Sequence, residues 1–188
     1  KVYTSGITQP PMITIAANEI AKSLGPGFAK EVYPSLLKYH EWFYRERDPK
    51  KEGLVSIIHP WESGTDNSPR WIKALSQIKL TYIPKYERKD QLHVSRKERP
   101  TDEDYNLFVY IMDRIRDFDY DPSQILDKFP FVVQDVLLNS ILYRANECLR
   151  ELAVIVGEPT EEIDNWMIAT RNAFENKLWD AEAKMHCD

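Results

Sequence analysis

Apolar residues recur at three- and four-residue spacing along most of the chain, a pattern that predicts six helices and no large sheet. The first opens at Gln9-Pro10-Pro11, where proline suits a helix's first turn, and stops at the Gly25-Pro26-Gly27 breaker. The second runs from about Phe28 to Arg47, with Val32, Leu36, His40 and Phe43 on one face and Asp48-Pro49 as its end. Residues 53 to 58 read as a short apolar strand or turn. A third helix is predicted from Ser68-Pro69, fading before Pro84. Thr101, with Asp104 three residues on, has the form of a capping box, and Phe108, Ile111, Ile115 and Phe118 make one stripe behind it. The stretch from Phe131 to Val156 leaves little of its circumference polar and is expected to be buried on nearly all sides. The last helix, from about Thr160 to Asp180, places Ile163, Met167, Thr170, Phe174 and Leu178 on one side.

A central helix buried nearly all round, flanked by amphipathic ones, implies an all-α chain in two layers. Its 188 residues are one domain's worth. The formal charge of -5 argues against a nucleic-acid partner. The local exception lies between prolines 84 and 100, where Lys85, Arg88, Lys89, Arg96, Lys97 and Arg99 face Glu87, Asp90 and Glu98. The acidic interruptions favour a solvated charged linker over a phosphate-binding strip. Cys148 and Cys187 form no CxxC pair, which points to a reducing, cytoplasmic setting. No run of about 18 apolar residues suggests a membrane span. The chain starts at Lys1 without methionine and is expected to be part of something longer.

One short stretch concentrates the chemistry: HPWESGTDNSPRW, residues 59 to 71. Read structurally, Asp66, Asn67 and Ser68 are alternative helix caps, Glu62 is a surface charge, and Trp61 and Trp71 are core. Read chemically, it is a carboxylic acid beside aromatic faces, which suits sugar chemistry: tryptophan stacks on the apolar face of a pyranose while a carboxyl group protonates the departing glycosidic oxygen. Elsewhere no Ser/His/Asp order, phosphate loop or zinc spacing occurs. His40 and His59 are too isolated to suggest a metal. Asp135, Asn139 and Asn146 share a stripe of the apolar helix, where they either pair with neighbouring backbone or face a cavity.

The segments SGITQPP (5 to 11), YHEWFYRERDP (39 to 49), GLVSIIHPWESGTDNSPRW (53 to 71), RPTDEDYNLFVYIMD (99 to 113), PFVVQDVLLNSILYRANECL (130 to 149) and FENKLWD (174 to 180) together resemble the bacterial glycoside hydrolase family 63 enzymes, in particular the mannosylglycerate and glucosylglycerate hydrolases. ESGxDxSPRW also resembles the ESGWDxSSRW signature of trehalases. The resemblance implies part of an (α/α)6 toroid that hydrolyses an α-glycosidic bond with inversion, needs no cofactor and takes a small saccharide or glycosylglycerate as substrate. It places the general acid at Asp66 and a pocket-lining glutamine at Gln9, with Trp61, Glu62, Asn67 and Arg70 as further motif positions at the substrate. Glu62 is expected there either as a neighbour that raises the acid's pKa or as a pocket hydrogen-bond acceptor. The family's general base is a glutamate beyond further helices that would follow Trp179, so residues 1 to 188 are read as one incomplete barrel domain with a linker at about 84 to 100. An incomplete barrel is expected to form homo-oligomers. The competing reading is a helical sugar-binding or assembly module without catalysis.

Overall fold

A computed structural model describes residues 6 to 92 and 94 to 188, so Ser5 of the first motif lies outside the described residues. These residues gather into two compact units, one made of Lys1–Gln9 and Ile57–Val133, the other of Pro10–Ser56 and Gln134–Asp188. Among the described residues the regular structure is helical apart from one hairpin of two-residue strands and one isolated bridge.

The second unit is built on α1 (Met12–Leu24), α2 (Pro26–Arg47), α6 (Val136–Val156) and α7 (Glu161–Ala173). Helix α6 packs against the other three. Small side chains make close approach possible: Ala17 and Ala21 of α1 and Ala29 of α2 join Tyr33, Leu36, Leu149, Leu152 and Ile163 in one buried cluster. Complete burial of a leucine such as Leu149 contributes on the order of 2 kcal/mol. The predicted burial of α6 on nearly all sides is not met, because Ser140, Arg144, Arg150, Val154 and Ile155 are exposed. Its start also differs. Val133 is drawn into an isolated antiparallel bridge with Ile57, and Asp135 caps the helix by accepting from the amides of Leu137 at 3.2 Å and Leu138 at 3.0 Å.

The polar stripe of α6 resolves in favour of pairing. Asn139 brackets Val55, accepting from its amide and donating to its carbonyl, both at 2.9 Å. Asn146 donates to the Tyr44 hydroxyl at 2.6 Å, so its Oδ1 accepts from Nδ1 of His40 at 2.7 Å. Nε2 of His40 then accepts from the Thr14 hydroxyl at 2.8 Å. Burial lowers the His40 imidazole to about 4, and the bond to Asn146 opposes this only in part. Burial likewise pushes the Tyr44 phenol up to about 12. Gly53 is required by space as well as conformation: its φ is +86°, and a Cβ there would lie 2.5 Å from the Ala169 carbonyl oxygen.

The last predicted helix stops early. After α7 the chain widens into a π turn over Phe174–Leu178 and then forms a hairpin pairing β1 (Trp179–Asp180) with β2 (Met185–His186). The Asp180 carboxylate makes the bend by accepting from the amides of Glu182 and Ala183.

The first unit holds α3 (Ile72–Leu75), α4 (Asp102–Asp117) and α5 (Pro122–Lys128). The capping box of α4 forms as read, with Thr101 and Asp104 exchanging side-chain and backbone bonds. Ser68-Pro69 opens a 3-10 turn over Pro69–Trp71, and α3 follows it at Ile72 but lasts only one turn. Residues beyond it go instead to α4, where Thr81 meets the Tyr110 hydroxyl at 3.2 Å and Tyr82 donates to Asp113 at 3.3 Å. Helix α5 was not among the six predicted; its Asp121 cap and Pro122 start are in the sequence, but its only fully buried residue is Ile125.

Candidate active site

Within the first unit, residues 57 to 71 form two linked turns. His59, in extended conformation, caps a 3-10 turn over Pro60–Ser63, its Nδ1 accepting from the Trp61 amide at 3.0 Å. An acceptor at Nδ1 places the proton on Nε2, which donates to the Phe108 carbonyl at 3.0 Å. Burial lowers this imidazole to about 4, so the neutral tautomer that the geometry requires is the one present. Sequence reasoning considered His59 only as a metal ligand; a histidine immediately before proline at a turn start was the signal for a cap.

Gly64 ends the 3-10 turn in the left-handed region at φ 73°. Ser63 donates to the Pro60 carbonyl at 2.7 Å and accepts from the Thr65 amide at 3.0 Å. The second turn closes when the Ser68 amide donates to the Thr65 carbonyl at 3.0 Å, which leaves Asp66 and Asn67 at its tip. The same carbonyl accepts from the Trp71 indole at 2.8 Å. Asp66 is half-buried and Asn67 exposed. Trp71 is buried with its ring edge-on to Phe131, and the Arg70 guanidinium lies 4.7 Å from the Trp71 ring centre with one nitrogen 3.4 Å from the Thr65 hydroxyl.

Trp61 is half-buried, its ring 4.4 Å from that of His59 and edge-on to Tyr105 and Phe108 at 6.1 Å. Exposed Gln9 donates through Nε2 to the Trp61 carbonyl at 2.7 Å. Glu62 is fully buried; Oε1 accepts from the Thr8 amide at 3.0 Å and Oε2 from the Ile58 amide at 2.7 Å. Of the expected site residues, then, Gln9 and Trp61 are joined directly, and Glu62 is tied to Thr8 beside Gln9. Asp66, Asn67 and Arg70 are held around Thr65.

The charged stretch before α4 is more ordered than a solvated linker. Arg88 grips Asp90 with two nitrogens, at 2.6 and 3.1 Å, reaches Asp102 at 2.8 Å and the Pro100 carbonyl at 3.0 Å, and lies 4.3 Å from the Tyr105 ring centre. Arg99 adds a third bond to Asp90, and the two guanidiniums, Arg88 foremost, hold its carboxyl down to about 2. Tyr105 in turn borders Trp61. No group of three His, Cys, Asp or Glu arranged to hold a metal occurs among the described residues.

The family model described as the mannosylglycerate hydrolase MGH1-like glycoside hydrolase domain matches residues 1 to 188. The chain belongs to this family. It is 43% identical over 185 residues to a mannosylglycerate hydrolase of Thermus thermophilus, and 41% identical over 190 residues to mannosylglycerate hydrolase MGH1 of Selaginella moellendorffii. A GH63 mannosylglycerate hydrolase from Thermus thermophilus, crystallised in complex with Tris and D-glycerate, superposes with a TM-score of 0.90 at 43% identity, covering 96% of this chain and 45% of that one. The match covers 96% and 97% of this MGH1-like chain but only 44% and 39% of the two relatives, so it spans less than half their length. The helical class expected from the sequence is that of the solved GH63 enzyme. No described helix of the chain is long and apolar enough to cross a membrane.

Proposed function

We propose that these residues form the acid-bearing part of an inverting α-glycosidase that cleaves small glycosylglycerates, mannosylglycerate first among them and glucosylglycerate second. The observation that carries the reading is the half-buried Asp66 at the tip of a turn whose base carbonyl is tied to buried Trp71. A carboxyl group on a rigid turn can present its proton to a glycosidic oxygen in one orientation, which is what general-acid assistance needs. Gln9, Trp61, Asn67 and Arg70 are the candidate sugar contacts. The relatives' names supply the substrate class, and the D-glycerate complex of the Thermus enzyme supports an acidic aglycone.

Inversion requires a second carboxyl roughly 6.5 to 9.5 Å from the acid, on the opposite face of the sugar. We assign that base to a part of the protein outside these 188 residues, with no cofactor and in a reducing, cytoplasmic setting. The two free cysteines fit that setting.

The test is steady-state hydrolysis of mannosylglycerate, glucosylglycerate and trehalose by the full-length protein and by residues 1 to 188, with Asp66→Asn beside each. The substitution should lower kcat of the full-length protein by roughly a hundred- to ten-thousand-fold, and the 188-residue chain should show little turnover. An active Asp66→Asn protein would refute the acid assignment. Saturable binding without any turnover by the full-length protein would identify a sugar-binding module instead.

A further inference from the structure

We propose that Glu62 is a positioning residue of the sugar site: its buried carboxylate clamps the Thr8-Gln9 segment to the turn that carries Trp61 and leads to Asp66, without itself meeting the substrate. The sequence reading placed Glu62 in the pocket. In the structure its side chain points away from solvent, at 0% exposure, and each oxygen takes a backbone amide, Thr8 at 3.0 Å and Ile58 at 2.7 Å. Charge-assisted bonds of this kind offset the desolvation of a buried carboxylate.

The lacing has two stitches. Thr8 is tied to Glu62 and its neighbour Gln9 to the carbonyl of the neighbouring Trp61 at 2.7 Å, across more than fifty residues of sequence. The Gln9 side chain is exposed, so its orientation depends on the backbone behind it, and that backbone is what Glu62 holds. The chemistry leaves little choice of residue. Glutamine offers one acceptor oxygen and would turn an NH2 donor toward an N–H donor; aspartate is shorter by about 1.5 Å and cannot reach both amides. Through this clamp Glu62 sets where Gln9 and Trp61 meet the sugar.

The functional part rests on the glycosidase reading above; the clamp itself does not, and the experiment separates them. Glu62→Gln, Gln9→Ala and the double variant are made in the full-length protein and compared by kinetics on mannosylglycerate, by the pH profile of kcat, and by residue-resolved amide exchange. Glu62→Gln should speed exchange at Thr8 and Ile58 by about tenfold or more while amides of α6 keep their rates. It should lower kcat/KM by roughly ten- to a hundredfold, with both limbs of the pH profile in place, and Gln9→Ala should add less than about twofold on top. Multiplying losses in the double variant, or a missing limb of the profile with Thr8 and Ile58 still protected, would overturn the proposal. If Glu62→Gln does not fold, the wild type decides: Thr8 should exchange at least about tenfold more slowly than an open amide, and an unprotected Thr8 refutes the clamp. A wild type inactive on every glycoside would sink the proposed function, while the exchange data still judge the clamp.

Discussion

The Trp71 indole and the Ser68 amide converge on one carbonyl, that of Thr65, at 2.8 and 3.0 Å. Two donors from different directions fix the peptide plane just before Asp66. Trp71→Phe should keep the edge-on packing with Phe131 but remove one donor, costing about 1 to 2 kcal/mol in a urea titration. Because the fault lies at the turn, kcat should fall more than KM rises. A Trp71→Phe protein with wild-type kcat would show that the turn holds its shape without the indole.

Stability should decline as pH falls from about 6.5 to 4. Burial lowers both His40 and His59 to about 4 from an ordinary 6.5. Between those values the unfolded chain takes up protons that the folded chain refuses, so the stabilisation is complete above 6.5 and is lost on acidification, by about 3 kcal/mol for each imidazole. Urea midpoints at pH 7, 6, 5 and 4 measure the slope. His40→Gln should flatten it by one proton's worth.

Gly53→Ala should be among the most damaging small substitutions in the chain. The added methyl would meet the Ala169 carbonyl carbon at 2.8 Å and its oxygen at 2.5 Å, backbone atoms that cannot swing aside, at a φ of +86°. A loss of about 2 to 4 kcal/mol is expected by thermal unfolding. An unchanged Tm would mean that the segment shifts freely.

Residues 1 to 188 on their own should self-associate. Helix α1 exposes Met12, Ile13, Ile20 and Leu24, and α6 exposes Val154 and Ile155. Apolar faces of this kind are ordinarily covered by another surface. Sedimentation velocity should show dimers or larger species at tens of micromolar, and a monomer at high concentration would count against it.

What was legible in the sequence was local chemistry. The Thr101 box and the Gly25 stop announce themselves within a few residues, and so does the Ser68-Pro69 start. The length of the helix after Ser68 was not legible, since Thr81 and Tyr82 are claimed by Tyr110 and Asp113 on α4, a contact that local propensity does not reveal. At the candidate site the residue types were readable and their partners were not. Glu62 finds Thr8 from 54 residues away, and the Trp71 indole looks like core until its N–H is followed to Thr65.

The chain of bonds through His40 runs in one direction: Thr14 gives to His40, His40 to Asn146, and Asn146 to Tyr44. No member can reverse its role alone, because each donor faces the acceptor that its neighbour's orientation leaves. Over evolutionary time the four positions are therefore expected to be inherited as one unit. Relatives that replace the histidine should have replaced its threonine and asparagine partners as well, so that substitutions at positions 14, 40 and 146 covary even though 106 residues separate the last two.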